Sequence, residues 1–368
     1  MNKPGALNIP ANLLITPVYV FLLIHTMQVG VGILGFERYI AKDAGYDAWI
    51  SILVGGVVIH LLLWMIYRIL KNTDGDIVTV HQYVFGKYIG SLFNLVVAIY
   101  FLLLCLTVFR TFIEVIQVWV FPQLQIWLFS IVFLGLMYYI VIGGVRVITG
   151  MALMSLLLGL PLLLFKYFPI KAGKVDNVYP IIDHSIMELL ASTKATTLSF
   201  LGIELLLVFY PFIKNKQASI KWAHFGVFYT TMIYLSTALV TFIYYSEEQL
   251  DHVIWPTVTL WKIVDFTFIQ RFEFVGIAAW VVVVMPNVCL ALWGASRIPK
   301  RMFRVKQRHV IWVFLLLLFG ASILIEGRKA VDTLNNFTSE AGLYFLLYIP
   351  VLFLLVIIRE RVDKRNES

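Results

Sequence analysis

The chain has 368 residues, of which 61% are hydrophobic and 14% charged, and its mean hydropathy is +0.88. A soluble domain is only about half apolar, so the composition excludes a soluble globular protein and indicates a polytopic membrane protein. The net charge of +8 is not a nucleic-acid signature, because the basic residues fall in short loops between apolar runs, as membrane topology requires. Cys105 and Cys289 lie inside apolar runs without metal-ligand spacing, which leaves no disulfide framework and no expected cofactor or metal.

A spanning helix needs about 20 apolar residues. That length predicts ten spans, near residues 13–35, 49–70, 92–118, 126–143, 148–168, 196–213, 222–245, 273–294, 309–325 and 342–358. The first run lacks a small-residue cleavage site and reads as a retained helix. The segment Trp255–Phe268 carries Pro256, Lys262 and Asp265, and reads as a surface helix. The loops on the N-terminal side hold most of the lysine and arginine, with Arg297–Arg308 the densest stretch. This bias places both termini in the cytoplasm. Two outer loops are long, 169–195 and 246–272. In the first, Asp183–Leu190 reads as a short surface helix with Asp183 near its start.

Two spans are interrupted by glycine at mid-depth. The first reads His25-Thr26-Met27-Gln28-Val29-Gly30-Val31-Gly32-Ile33-Leu34-Gly35, the second Thr197-Leu198-Ser199-Phe200-Leu201-Gly202-Ile203-Glu204. Glycine costs about 1 kcal/mol in a helix interior, and lipid supplies no water to replace lost backbone bonds. Paired breaks in corresponding places of two halves point to a binding site at the bilayer midplane. Dividing the ten spans after the fifth gives one membrane domain, 1–368, built of two five-helix repeats, 13–168 and 196–358. An odd number of spans per half inverts the second repeat relative to the first.

At the first break, Val29, Gly30, Val31 and Gly32 leave backbone groups without helical partners. The half-helix that follows presents amides and a positive dipole end to a carboxylate. Close helix packing is the alternative use of such glycines. At the second break, Gly202 stands beside Glu204, and a carboxylate within a span is usually functional. Glu204 is able to bind a ligand amine, carry a proton or lock the half-helices. Phe200 and Leu201 supply apolar walls. Arg110 and Glu114 share a helix face at i, i+4 and are expected to form a structural or gating ion pair, with Glu204 as an alternative partner for Arg110. Pro286-Asn287 kinks the eighth span and offers one strongly polar side chain. His25 and His60 are lone histidines within spans.

The sequence contains no phosphate-binding glycine loop, no His-Glu-x-x-His, no CxxC and no Ser/His/Asp set, so an enzyme is not expected. Ion-coupling devices are thin. Span eight lacks a Ser/Thr pair, and the only basic residue of span five is Lys166, near its outer end.

The chain resembles the B-subunit family of endospore germinant receptors, a branch of the amino acid–polyamine–organocation transporter superfamily. The resemblance is carried by Gln28–Leu34, Ala44-Gly45-Tyr46-Asp47-Ala48-Trp49-Ile50, Gly143-Gly144-Val145-Arg146-Val147-Ile148 and Phe200–Leu206, and it covers nearly the whole chain. Where relatives often have proline after the first break, this chain has Phe36-Glu37-Arg38. The resemblance implies an all-α, leucine-transporter-like fold with broken helices 1 and 6. It implies nutrient sensing in the spore inner membrane beside A and C subunits, with an amino acid held by Val29–Gly32 and Phe200–Glu204. It also implies facing positions on spans three and eight, for which Leu104, Thr107 and Asn287 are the candidates. An autonomous proton-coupled amino acid or amine permease is the rival reading.

Overall fold

The computed structural model describes residues 7, 9–266 and 270–367. In chain order its helices are α1 (Tyr19–Gln28), α2 (Phe36–Ala44), α3 (Ala48–Thr73), α4 (Ile77–Trp119), α5 (Ile126–Ile142), α6 (Gly144–Leu164), α7 (Tyr167–Ala172), α8 (Ile186–Ala195), α9 (Thr197–Phe200), α10 (Leu206–Phe209), α11 (Lys216–Tyr244), α12 (Glu247–His252), α13 (Pro256–Trp261), α14 (Phe272–Phe303), α15 (Gln307–Leu324) and α16 (Gly327–Glu367). Short 3-10 turns join several of them, including Ile203–Leu205 ahead of α10. No named strand occurs among the described residues.

Seven helical stretches are long and apolar enough to cross a membrane, and eight if the pair Ile186–Ala195 and Thr197–Phe212, bent by 52°, is one span. Two further apolar helices, α1 and α5, are shorter. Length and composition alone therefore give fewer crossings than the ten expected, because α1 and α5, in the first and fourth expected spans, are only 10 and 17 residues long. Val57, Leu61, Val132, Leu136, Leu316 and Leu347 are exposed. An apolar belt of this kind is the mark of a surface that faces acyl chains.

α14 is the central post, with nearly all its residues from Val283 to Pro299 buried, and it packs between α4 and α6. α1 lies against α11, and α16 against α3 and α4. One end of the bundle is tied by polar bonds. Lys216 pairs with Asp74 at 2.7 Å, Arg301 with Asp76 at 3.0 Å, and the Tyr83 hydroxyl donates to Asp363 at 2.7 Å. At that end Ile15 also forms a parallel bridge to Ile213.

Several expected boundaries move. α4 begins at Ile77, capped by Asp76, and turns at Gly86, whose φ of 76° suits glycine. Only the stretch beyond Gly86 is the apolar span foreseen. α16 starts at Gly327 rather than near 342, since Asn335, Asn336, Thr338 and Ser339 are polar residues inside it. The expected surface helix at 183–190 is instead α8, which leads into the second break. Its N-cap is Ser185, not Asp183, and Ser185 and Glu188 form a reciprocal capping box. The segment 255–268 holds the six-residue α13; its residues 267 and 268 lie outside the described residues.

Candidate functional site

Both glycine breaks are real interruptions. α1 stops at Gln28 and the helix resumes at Phe36. α9 stops at Phe200, Leu201 is extended, and Gly202 adopts φ 119°. The two breaks meet: a Cβ placed on Gly202 would lie 2.5 Å from Met27 Cβ. No side chain fits there, which explains the glycine.

The opened carbonyls of the first break are paid for by distant side chains. The Asn287 amide donates to Thr26 O at 3.0 Å and to Met27 O at 2.9 Å. The Tyr234 hydroxyl donates to Gln28 O at 2.8 Å, and the Trp280 indole to Gly30 O at 3.1 Å. Val31 O and Gly32 O accept from Leu34 N and Gly35 N. Across the gap, the Gln28 side-chain amide donates to Phe200 O at 3.2 Å. The amides of Gly30, Val31 and Gly32, by contrast, donate to no protein acceptor among the described residues. From Thr26 to Gly32 every carbonyl but that of Val29 is satisfied, while a run of donors is left open.

Those donors border a cavity of about 190 Å³. This is roughly ten times the space one water needs. Gly30, Val31, Gly32, Leu104, Thr107, Leu201 and Asn287 of the expected set line it. Val29 does not; it borders a smaller cavity on the other side of α1. Phe200, Gly202 and Glu204 do not line the central cavity either. Glu204 is fully buried, accepting from the Tyr100 hydroxyl at 2.6 Å and from Gly202 N at 2.8 Å. It braces the second break, the locking arrangement that its position left open. It is also out of reach of Arg110, which sits ten residues beyond Tyr100 on α4, about 15 Å along the axis at 1.5 Å per residue.

The expected Arg110–Glu114 ion pair is absent. Glu114 pairs with Arg328 of α16 at 3.1 Å, and Arg110 Nε donates to Ile325 O at 2.6 Å. The i, i+4 spacing puts both on one face, but partners from the α15–α16 turn offer better geometry than the helix neighbour. Arg328 also donates to the Tyr39 hydroxyl at 2.7 Å, pairs with Asp332 at 2.7 Å and lies 5.3 Å from the Trp255 ring. Tyr39 and Trp255 line the cavity, so this charged cluster borders it at that end.

Thr107 is bonded to Leu103 O at 2.9 Å and to the Thr338 hydroxyl at 2.6 Å. Gln28, Tyr234, Trp255, Asn335, Asn336 and Ser339 also line the cavity, and sequence reasoning did not assign them. The run Asn335-Asn336 within an apolar C-terminal segment was the available signal. Three polar atoms of the lining are buried without a partner: Gln28 Oε1, Asn287 Oδ1 and Trp255 Nε1. Two acceptors and an indole donor thus supplement the open backbone amides.

The sole cluster of metal-ligand type among the described residues is elsewhere, at Asp47, Asp183 and His184. Asp47 accepts from the amides of Ile182, Asp183 and His184 at 2.7, 2.9 and 3.2 Å, so it anchors the long loop to the α2–α3 corner.

Broken helices packed around a central post, with a cavity beside the breaks, define a membrane protein of the transporter fold. The similarity to solved transporters bears this out. MhsT in complex with L-phenylalanine superposes with a TM-score of 0.67 at 13% identity, over 92% of this chain and 87% of that one. Mhp1, a nucleobase-cation-symport-1 family transporter in a closed conformation with bromovinylhydantoin bound, gives 0.66 at 11% identity, over 97% and 80%. In sequence, residues 14–331 match the family described as spore germination protein. The chain is 40% identical over 348 residues to spore germination protein GerQB of Bacillus cereus, covering 94% of this chain and 97% of the relative. It is 22% identical over 346 residues to spore germination protein B2 of Bacillus subtilis (strain 168), covering 92% and 93%. The chain belongs to the spore germination protein family, in its germinant-receptor B-subunit branch, and is an integral membrane protein.

Proposed function

We propose that the chain is the nutrient-binding B subunit of a germinant receptor. It takes a small zwitterion, an amino acid, in the cavity between the two breaks. The carboxylate rests on the amides of Gly30, Val31 and Gly32, helped by the dipole of α2. The ammonium is held by Gln28 Oε1 and Asn287 Oδ1, the buried acceptors without a protein partner. This assignment replaces the ammonium site first expected at Phe200–Glu204, whose acceptors are already engaged by Gln28, Tyr100 and Gly202. In this reading ten crossings form two inverted five-helix repeats, 13–168 and 196–358. Both termini face the cytoplasm, and the protein sits in the spore inner membrane beside A and C subunits. A nutrient that prefers one arrangement of the bundle shifts the population toward it and passes the signal to those partners.

The observation that carries the reading is the asymmetry of the first break, with all but one of the carbonyls from Thr26 to Gly32 partnered and the amides of Gly30, Val31 and Gly32 open. The experiment is thermal denaturation of the purified full chain against a panel of L-amino acids. Gly32 has no atom within 4 Å of a built Cβ, so Gly32→Leu fills the cavity without a backbone clash. The expected result is a raised Tm with one or a few amino acids, lost in Gly32→Leu. No shift with any of them, or the same shift in the variant, rejects the site.

The likeness to substrate-bound transporters favours the rival, a proton-coupled amino acid or amine permease. Uptake of the stabilising amino acid into vesicles holding the chain alone, driven by an imposed proton gradient, would decide for the permease.

A further inference from the structure

α2 carries a second buried carboxylate, Glu37, on which the nutrient reading does not draw. It is 0% exposed. Its Oε1 lies 2.6 Å from the Thr257 hydroxyl of α13 and 3.1 Å from the Thr241 hydroxyl of α11. Its Oε2 has no partner. The Thr257 hydroxyl is also 3.1 Å from Ile33 O, in the first break.

The count of protons is informative. A threonine hydroxyl carries one proton, yet Thr257 faces two acceptors, Ile33 O and a carboxylate oxygen. If Glu37 is ionised, the single Thr257 proton either goes to Ile33 O, which leaves the 2.6 Å contact between the Thr257 hydroxyl and Oε1 without a proton, or goes to Oε1, which takes the Thr257 donor from Ile33 O. In both cases Oε2 is an ionised oxygen buried unpaired, which is costly in a membrane protein. If Glu37 is protonated, it donates to Thr257, Thr257 donates to Ile33 O, and Thr241 still donates to Oε1. Every donor then has an acceptor, and the unpartnered atom belongs to a neutral acid.

The nearby cation is already engaged. Lys166 Nζ donates to the Ser236 and Thr237 hydroxyls at 2.7 and 2.8 Å, and those hydroxyls donate onward to Ile233 O. Lys166 feels the charge of Glu37 but makes no ion pair with it within 4 Å among the described residues. The other titratable groups close enough to sense Glu37 are Tyr234 and Tyr245 of α11 and its C-terminal end. α13 contributes only the Thr257 hydroxyl, and Arg38 on α2 itself turns to Asp251. Lys166, Thr237 and Thr257 border a second cavity of about 70 Å³, behind α1, whose lining also includes Ile33 and His25. This space lies on the far side of the first break from the nutrient cavity.

We propose that Glu37 is a proton-binding site: it holds a proton in the conformation described here, and Lys166 is the cation that supports its ionised form. The site ties α2 to α11 and α13 through the carboxyl proton, so loss of the proton breaks the chain Glu37–Thr257–Ile33 at the outer edge of the first break.

The test needs no nutrient, so it stands or falls separately from the reading above. Infrared spectra of the full-length protein in lipid nanodiscs are recorded between pH 5 and 9, with wild type compared to Glu37→Gln. The expected result is a protonated-carboxyl C=O band at pH 7 that is missing in Glu37→Gln, retained in Glu114→Gln, and lost in wild type as pH rises. In Lys166→Met the midpoint of that loss moves up by about one pH unit or more, because the cation favouring the carboxylate is gone. Thr257→Val, which keeps the carboxyl, shifts the band frequency, and it serves if Glu37→Gln fails to accumulate. Absence of any band that depends on Glu37 or Thr257 at pH 7 overturns the proposal. An unmoved midpoint in Lys166→Met overturns the role of Lys166.

Discussion

The two breaks are built differently. The first runs from Val29 to Gly35; Gly30 and Gly35 are closely packed, but Gly32 between them has nothing within 4 Å of a built Cβ. The second is confined to Leu201 and Gly202. Its amide is taken by Glu204, and its glycine abuts Met27. One opening is wide and keeps unspent donors; the other is narrow and sealed. A broken helix is therefore not one device. In this chain the first break keeps open amide donors beside a cavity, the feature on which the proposed nutrient site rests, whereas the second has the geometry of a joint.

Substitutions at the two glycines separate these roles most sharply. Gly202→Leu combines a positive φ with overlap on Met27, and both penalties act together. It is expected to cost about 3 kcal/mol or more, seen as loss of the monodisperse folded peak in size-exclusion chromatography. A well-folded, stable variant would refute the joint. Glu204→Gln comes next. It exchanges a carboxylate bonded by Tyr100 and Gly202 N for an amide with a single acceptor oxygen, at a cost of about 1–3 kcal/mol. Glu114→Gln, at the partly exposed Arg328 pair, is expected to cost less. Tm values of the two variants rank them, and equal shifts would show that both are ordinary braces. Gly32→Ala is milder still. Stability changes by less than about 0.5 kcal/mol, while the amino acid that raises Tm does so less, because a methyl group enters the cavity beside the open amides.

The smallest expected effect is at the outer loop. Burial alone would lower the His184 pKa, but the hydrogen bond it donates to Asp47 and the charges of Asp183, Asp47 and Glu188 outweigh it, so His184 titrates above its ordinary 6.5. A raised folded value means that the contribution is complete below the unfolded pKa and is lost as pH rises through the folded one. Amide exchange at Ile182–His184, corrected for intrinsic rate, is expected to speed up above pH 6.5. His184→Ala should remove that dependence; a profile unchanged by the substitution would assign it to another group.

The placement of the breaks was legible because glycine within an apolar run is a local signal. Helix limits were less so. α16 carries Asn335, Asn336, Thr338 and Ser339 on residues that line or flank a cavity, so a hydropathy window discards its first turns. α8 is amphipathic and passes for a surface helix. Partnerships were least legible: Glu114 finds Arg328, 214 positions away, instead of Arg110 four positions away. Spacing constrains faces along one helix but says nothing about which distant side chain reaches that face. For the same reason Asn287 was visible as polar, while its bonds to Thr26 O and Met27 O were not.

The isolated bridge at Ile15 has a mechanical consequence. Ile15 O accepts from Lys214 N at 3.0 Å and Ile15 N donates to Phe212 O at 2.8 Å, just ahead of α1 and just after the helical stretch that follows Gly202 and contains α10. Met27 and Gly202 touch at the opposite ends of the same two half-helices. Fastened at both ends, these halves are held to each other independently of α2 and α8. Under the proposed nutrient reading, any opening of the cavity would then fall to those two helices.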